Sequence, residues 1–266
     1  MNILFSLLLF PLIIRRSDLI RQKSSHDIED TKGRNYNILM IRGILFDLDN
    51  TLVDFMKMKE VAVTAAVDAM IDAGLNMPKD EAIERIYKIY DREGIEDQKV
   101  FDKLLSESYG TIDYKILSAG IVGYRRAKEG ALVLYPKVYY TLMELIKMGK
   151  RLAVVSDAPR LQAWTRLVQT GLHHFFEVVV AFEDTNKRKP EPEPFLFALQ
   201  KMNIKPEETL MIGDWAERDI VGAKTLGMVT VFARYGNTFG TTISGADFEV
   251  NSISDVIDVI RELDRK

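Results

Sequence analysis

Short apolar runs alternate with helical stretches over the second half of the chain. The apolar runs predict strands at residues 151–155, 177–181, 209–212 and 228–233. The stretches around them predict helices at residues 136–148, 161–170, 194–202, 218–226 and 253–263. A further apolar run, residues 41–46, precedes this region and predicts the first strand. Strands that alternate with helices are typical of a parallel sheet that is covered by helices on both faces.

Residues 54–134 have a different pattern, because helix follows helix with no strand between them. Helices are predicted at residues 55–73, 79–93, 97–109 and 114–128, with Gly74, Gly94, Gly110 and Gly130 as breaks. In the first of them, the apolar residues at helical spacing are Val61, Ala65, Ala69 and Met70. A run of helices does not belong to a repeating strand–helix pattern. We therefore expect an inserted α-helical domain after the first strand.

The beginning of the chain differs from both regions. Residues 3–14 are strongly apolar, and Arg15 and Arg16 follow them before a polar stretch. The apolar run is too short to span a bilayer as a helix. It also lacks the preceding basic residues and the cleavage pattern of a secretory signal peptide. We interpret residues 1–39 as an upstream extension, with Met40 as the natural start and the cytoplasm as the expected location. A membrane-anchoring role is the alternative.

Composition restricts the possible chemistry. Of the 266 residues, 47% are apolar and 28% are charged, and the net charge of -3 gives no basic footprint for nucleic acid. The absence of cysteine excludes disulfides, thiol catalysis and cysteine-ligated zinc. The three histidines offer few ligands for a histidine-built metal site and few candidate bases for a Ser-His-Asp triad. Catalysis would therefore depend on carboxylates, lysine and hydroxyl groups.

Residues 47–52, Asp-Leu-Asp-Asn-Thr-Leu, follow the first predicted strand directly. Two carboxylates separated by one residue raise each other's pKa unless a cation or hydrogen bonds compensate. A divalent metal would explain the pair, because magnesium takes oxygen ligands and commonly uses one or two carboxylates together with a substrate phosphate. A strand-to-helix turn is the alternative for this hexapeptide, since Asp, Asn and Thr all suit turns and helix caps.

Polar residues also follow the later strands, at the sheet edge where Asp47 and Asp49 are expected. They are Ser156, Lys189 in the tract 187–189, Asp214 after Gly213, and Asp219 one turn further on. Taken singly, each has an ordinary interpretation as a helix cap, a solvated loop residue or a turn. Together they offer a carboxylate nucleophile, an acid/base, a hydroxyl donor and a cation around a metal. That set suits phosphoryl transfer.

These motifs, in this order, resemble those of the haloacid dehalogenase-like hydrolase superfamily. They are Asp47-Leu48-Asp49-Asn50-Thr51-Leu52, Ser156, Lys189-Pro190 and Gly213-Asp214-Trp215-Ala216-Glu217-Arg218-Asp219, and the likeness covers residues 41 to about 260. The resemblance implies an α/β fold whose core, residues 40–53 and 135–266, is a doubly wound parallel sheet of Rossmann-like type. It also implies that residues 54–134 are the α-helical cap domain that this family inserts after the first strand.

The same resemblance implies a role for each motif residue. Asp47 is expected to attack phosphorus and form an aspartyl-phosphate, while Asp49 protonates the leaving alcohol and then activates water. Magnesium (Mg²⁺) is the expected cofactor, held by Asp47, Asp214 and the main-chain carbonyl of Asp49. Asp219 is expected to orient Asp214 or to pair with the lysine. Ser156 and Lys189 are expected to be catalytic as well, with Ser156 holding the transferring phosphoryl and Lys189 neutralising its charge. The expected substrate-binding residues are Ser156, Lys189, Thr51 and Asp157.

The reaction expected from this family is the magnesium-dependent hydrolysis of a small phosphate monoester, such as phosphoglycolate or a sugar phosphate. A haloacid dehalogenase is disfavoured, because enzymes of that type lack the second aspartate, here Asp49. A phosphosugar mutase shares every motif, and it stays open together with a non-catalytic binding module that kept the fold. The expected partner is a small phosphorylated metabolite, with no nucleic acid and no membrane.

Two further stretches bear on the site. In the predicted cap, Phe55, Lys57, Arg125 and Arg126 are candidates to face it. Residues 234–240 carry two glycines after a strand, but they lack the full dinucleotide-binding fingerprint and do not open a helix. We interpret them as a loop near the mouth of the site.

Overall fold

The computed structural model describes residues 40–265. The predictions for residues 1–39, an upstream extension or a membrane anchor, lie outside the described residues. Within residues 40–265, the structure contains no helix with the length and apolar character needed to cross a membrane.

Six parallel strands form one sheet in the described part of the chain. They are β1 (Gly43–Phe46), β2 (Arg151–Val155), β3 (Val178–Val180), β4 (Thr209–Gly213), β5 (Val229–Ala233) and β6 (Phe248–Val250). Their order in the sheet is β3-β2-β1-β4-β5-β6, and every neighbouring pair is parallel. The predicted parallel sheet is thus confirmed. The pattern does not predict β6, because a strand of three residues is too short to show a period.

Helices connect these strands. They are α1 (Phe55–Asp72), α2 (Lys79–Glu93), α3 (Val100–Tyr109), α4 (Tyr114–Ala131), α5 (Val138–Lys147), α6 (Arg160–Gln169), α7 (Phe182–Thr185), α8 (Pro192–Met202), α9 (Val221–Thr225) and α10 (Val256–Leu263). The helix predicted at residues 218–226 is divided between a π-helical turn, Ala216–Ile220, and α9. The start predicted at Pro136 is wrong, because Lys137 has a left-handed φ of 69° and α5 begins after it.

Alternate residues of the strands enter hydrophobic clusters on opposite faces of the sheet, as the pleat requires. Ile44 and Phe46 of β1 pack in a cluster with residues of α5, α6 and α10. Leu45, between them, packs in a second cluster with residues of α8 and α9. Because both faces of β1 are covered, this strand is apolar without alternation, and the doubly wound α/β core is confirmed.

The helices α1 to α4 share a hydrophobic cluster of their own. It contains Met70 from α1, Ile86 from α2, Leu104 from α3 and Ile116 from α4. These four helices lie between β1 and β2 in the sequence and contribute no strand to the sheet. That residues 54–134 act as a separate cap domain stays a prediction.

The helical segment starts and ends at one place. The four helices lie between Val53 and Leu134 in the sequence, and these two residues form an antiparallel bridge. The main-chain N–H of Asp54 donates to the carbonyl of Val133 at 2.9 Å, and that of Tyr135 donates to the carbonyl of Leu52 at 3.1 Å. The helical segment therefore enters and leaves through two paired backbone stretches.

The four apolar residues named at helical spacing in α1 differ in burial. Met70 is buried, Ala65 and Ala69 are half-buried, and Val61 is 42% exposed. The buried residues of α1 are Phe55, Met58, Lys59, Ala62, Val63, Ala66, Val67 and Met70. Alanines lie on several sides of α1, so the apolar spacing alone does not single out one face.

Candidate active site

The order of the strands reverses between β1 and β4, and open α/β sheets bind ligands at such a point, beyond the carboxyl ends of the strands. Asp47 follows β1 and Asp214 follows β4. The main-chain N–H of Asp47 donates to the carbonyl of Ile212 at 2.9 Å, which fixes the first acid beside the end of β4. The two acids predicted at strand ends are therefore neighbours.

Three buried acids converge there. Each of Asp47, Asp214 and Asp219 offers one carboxylate oxygen, and these oxygens lie within 4.8 Å of one another. Burial raises the pKa of Asp47 to about 8, although the Lys189 ammonium acts in the opposite direction. Burial, and then the charge of Asp47, also raise the pKa of Asp214. Ionised acids this close need a cation, and a set of oxygen donors fits magnesium.

Lys189 is buried against two of these acids. Its Nζ lies 2.5 Å from Asp47 Oδ1 and 2.7 Å from Asp219 Oδ1, and it donates to the carbonyl of Val155 at 2.9 Å. Burial lowers the pKa of Lys189, but Asp219 and then Asp47 outweigh that effect and raise it overall. The side chain stays protonated. Lys187 in the same tract is exposed, so Lys189 is the lysine that reaches the acids.

Asp219 is held in place by the backbone after β4. Its Oδ2 accepts a hydrogen bond from the main-chain N–H of Trp215 at 3.0 Å. A Cβ at Gly213 would lie 2.2 Å from the same oxygen, so only glycine leaves room for the carboxylate. Gly213 is thus required by the position of Asp219 beside Lys189.

The carboxylate of Asp49 does not belong to the acidic group. Its Oδ2 accepts a hydrogen bond from Arg166 at 2.7 Å, and Arg166 also pairs with Glu96. Burial raises the pKa of Asp49 to about 6, Arg166 lowers it, and Glu96 raises it. This placement is compatible with the predicted metal contact of Asp49, which involves its main-chain carbonyl and leaves the side chain free for proton transfer.

The remaining predicted substrate-binding residues contact other protein groups. Thr51 Oγ1 donates to Asp214 Oδ1 at 2.9 Å. Asp157 accepts from the main-chain N–H of Lys189 and from Arg218, both at 2.9 Å. The buried hydroxyl of Ser156 accepts from the main-chain N–H of Ala158 at 3.2 Å. Thr51 is therefore placed to orient Asp214, and Asp157 is placed to orient the loop that carries Lys189.

The loop at residues 234–240 packs directly on the first motif. Tyr235 donates its hydroxyl proton to the carbonyl of Thr51 at 2.8 Å. A Cβ at Gly236 would lie 1.7 Å from the carbonyl oxygen of Asn50, so this glycine allows a close backbone contact. At the other end of the loop, Phe239 stacks on Trp215 with the ring centroids 3.9 Å apart.

Three residues near the site were not predicted from the sequence, namely Arg166, Glu96 and Lys59. Arg166 lies on the buried face of α6 with Ala163 and Leu167, and Lys59 lies on the buried face of α1. In both cases the sequence offered one indication, a cation at a helical position whose neighbours on the same face are apolar. Of the cap residues named as candidates, Phe55 is buried and packs its ring 4.3 Å from the Arg166 guanidinium. The other three, Lys57, Arg125 and Arg126, are exposed.

Comparisons with known proteins agree with this site. The profile of the family described as haloacid dehalogenase-like hydrolase matches residues 44–233. A protein of Methanocaldococcus jannaschii named glyceraldehyde 3-phosphate phosphatase is 39% identical over 227 residues, which cover 84% of this chain and 99% of that protein. A protein of the same name from Methanopyrus kandleri is 35% identical over 230 residues, with coverage of 84% and 99%.

Among solved structures, the crystal structure of a HAD phosphatase from Thermococcus onnurineus superposes with a TM-score of 0.63 at 26% identity. The superposition covers 83% of this chain and 98% of that one.

Proposed function

The chain belongs to the haloacid dehalogenase-like hydrolase family, and on that premise we propose that it is a magnesium-dependent phosphatase acting through an aspartyl-phosphate on Asp47. The observation that carries the proposal is the convergence of Asp47, Asp214 and Asp219 on one point beside the Lys189 ammonium. Asp47, Asp214 and the main-chain carbonyl of Asp49 would hold magnesium. The ion would neutralise charge on the phosphate oxygens.

In the first half of the reaction, a carboxylate oxygen of Asp47 forms a bond to phosphorus while the bond from phosphorus to the ester oxygen breaks. Asp49 gives its proton to the departing oxygen. A pKa near 6 suits this exchange, since the group can hold a proton and release it close to neutral pH. Lys189, protonated and in contact with Asp47, offsets the charge that gathers around the transferred group.

In the second half, Asp49 takes a proton from water, and the water oxygen attacks phosphorus. The bond between phosphorus and Asp47 breaks, which releases inorganic phosphate and restores the carboxylate. Arg166 fixes the Asp49 side chain at 2.7 Å and so supports both of its roles. We propose that the helical segment acts as a cap that shields this intermediate from bulk water.

For the substrate, the names of the relatives are the guide. Proteins called glyceraldehyde 3-phosphate phosphatase share 39% and 35% identity with this chain over almost their full lengths. We therefore propose a small phosphate monoester of this kind, with glyceraldehyde 3-phosphate as the first to test. The carboxylate of Asp49, which a carbon–halogen hydrolase of the family would lack, supports phosphate chemistry over dehalogenation.

The proposal is tested by phosphate release from glyceraldehyde 3-phosphate and from p-nitrophenyl phosphate, with and without magnesium. We expect turnover that requires the metal and disappears in Asp47→Asn, which keeps the shape of the side chain and removes its charge. Asp258→Asn is a matched control, because its carboxylate is on the surface with a side chain 80% exposed. Undiminished activity in Asp47→Asn would show that another group is the nucleophile.

A further inference from the structure

Lys59 is a buried cation that forms no ion pair with the residues that the structure describes. Its residue is 3% exposed, on the inner face of α1. Among residues 40–265 its ammonium forms no ion pair, and its one hydrogen bond is to Tyr90 Oη at 3.4 Å. An ammonium carries three donors, so most of its hydrogen-bonding capacity is unused. Burying a charge is costly unless the charge is paired and hydrogen-bonded, so this ammonium calls for an explanation.

Aromatic rings surround the ammonium instead of carboxylates. Lys59 Nζ lies 4.4 Å from the ring centroid of Tyr90, 5.5 Å from that of Tyr124 and 5.7 Å from that of Phe55. Cation–π contacts recover part of the lost hydration and leave donors available. Burial lowers the pKa of Lys59 to about 8, so the side chain still carries its charge at neutral pH.

The position of Lys59 relates it to the reacting groups. The ring of Phe55 contacts Lys59 and also lies 4.3 Å from the guanidinium of Arg166, which holds Asp49. Lys59 is thus connected to the predicted general acid through Phe55 and Arg166, from the side of the helical segment.

The charges around Asp49 favour an electron-rich ligand. The cations there are Lys59, Lys128 and Arg166, and the carboxylates are those of Asp49 and Glu96. Arg166 is paired with both carboxylates. Among residues 40–265, Lys59 and Lys128 form no ion pair with either carboxylate, and Lys128 lies over the Tyr124 ring at 6.0 Å.

We propose that Lys59 binds the leaving group of the substrate and selects esters whose alcohol carries a carbonyl or hydroxyl oxygen. The inference rests on the proposed function, because Asp49 must reach the ester oxygen in order to protonate it. The carbon chain attached to that oxygen then extends from Asp49 towards Lys59, which donates a hydrogen bond to the oxygen on the chain. A purely alkyl leaving group would leave the buried ammonium unpartnered.

The test compares glyceraldehyde 3-phosphate with n-propyl phosphate, which has the same three carbons and no further oxygen. We expect the wild-type protein to show a higher kcat/KM for glyceraldehyde 3-phosphate. In Lys59→Met the ratio of the two kcat/KM values should fall by about 10- to 100-fold, mainly through KM, which is the usual effect of losing a hydrogen bond from a charged donor. Lys88→Met, an exposed lysine whose side chain is 69% accessible, should keep the wild-type ratio.

The outcomes separate the inference from the proposed function. Equal losses on both esters, or a wild-type ratio near one, would overturn the role of Lys59 while magnesium-dependent hydrolysis still stood. No hydrolysis of any phosphate ester would overturn the proposed function itself.

Should Lys59→Met fail to fold, Lys59→Gln and a crystal structure of Asp47→Asn with glyceraldehyde 3-phosphate give independent tests. In that crystal structure we expect Lys59 Nζ at about 2.7–3.2 Å from a substrate oxygen. An ammonium that contacts only Tyr90 there would also refute the inference.

Discussion

Arg166 Nη1 lies 2.7 Å from Asp49 Oδ2, and the same guanidinium pairs with Glu96. Arg166 comes from α6 of the sheet domain, whereas Glu96 lies between α2 and α3 of the helical segment. The predicted general acid is therefore positioned by a residue that also holds the helical segment. Because all three side chains are mostly buried, the network depends little on salt.

Arg166→Met should lower kcat on phosphate esters by about 10-fold or more, since an unrestrained Asp49 is a poorer proton donor. It should also destabilise the fold by about 3–5 kcal/mol, because two buried carboxylates lose their shared cation. Steady-state kinetics and thermal unfolding measure the two effects. In the double variant Arg166→Met/Glu96→Gln we expect part of the stability to return without the activity. A wild-type kcat in Arg166→Met would contradict the positioning role.

Magnesium should stabilise the protein against unfolding, since the acidic group exists only in the folded state. At a free concentration 100-fold above Kd the gain is about 2.7 kcal/mol. Thermal unfolding in magnesium and in EDTA measures it. Asp214→Asn should abolish most of the shift, because it removes one donor of the group. If magnesium shifted Asp214→Asn as much as the wild type, the ion would bind elsewhere.

Gly213→Ala should displace Asp219, because the new Cβ would meet its carboxylate at 2.2 Å. We expect a loss of about 1–3 kcal/mol from overpacking and a clear fall in phosphatase activity. Gly130→Ala is the control, since a Cβ there meets nothing within 4 Å and the position is helical. That change should stabilise the protein slightly. Full activity in Gly213→Ala would show that the position of Asp219 is not needed for turnover.

Lys59 should make stability depend on pH in a defined window. Its pKa falls from its ordinary value of 10.5 to about 8 on folding. Below pH 8 the lysine is charged in both states, and the full destabilisation is present. Between about pH 8 and 10.5 the folded protein releases the proton while the unfolded chain keeps it, so the ionisation of Lys59 makes stability rise with pH.

Lys59→Met removes that dependence. The variant should exceed the wild type in unfolding free energy by about 3 kcal/mol near pH 7, and the difference should shrink towards pH 10. Urea unfolding at several pH values measures it. A difference that stayed constant with pH would mean that Lys59 titrates normally in the folded protein.

Much of the fold follows from local pattern. The strands β1 to β5 were predicted from apolar runs, and the order of the motifs placed Asp47, Asp214 and Lys189 at one edge of the sheet, as the structure has them. Arg166 and Glu96 could not be predicted in this way. The pairing of Arg166 with Asp49 and Glu96 depends on how segments distant in the sequence pack together. The apolar spacing gave the extent of α1 but did not mark Lys59 as one of its buried residues.

The bridge between Val53 and Leu134 has an evolutionary consequence. The two backbone stretches lie side by side where the helical segment begins and ends. The length of the roughly eighty residues between them therefore does not change the distance that the rest of the fold must bridge. Selection for a new metabolite could rebuild α1 to α4 while the predicted catalytic aspartates kept their places. The bridge thus lets residues 54–133 diversify while the chemistry of the site stays the same.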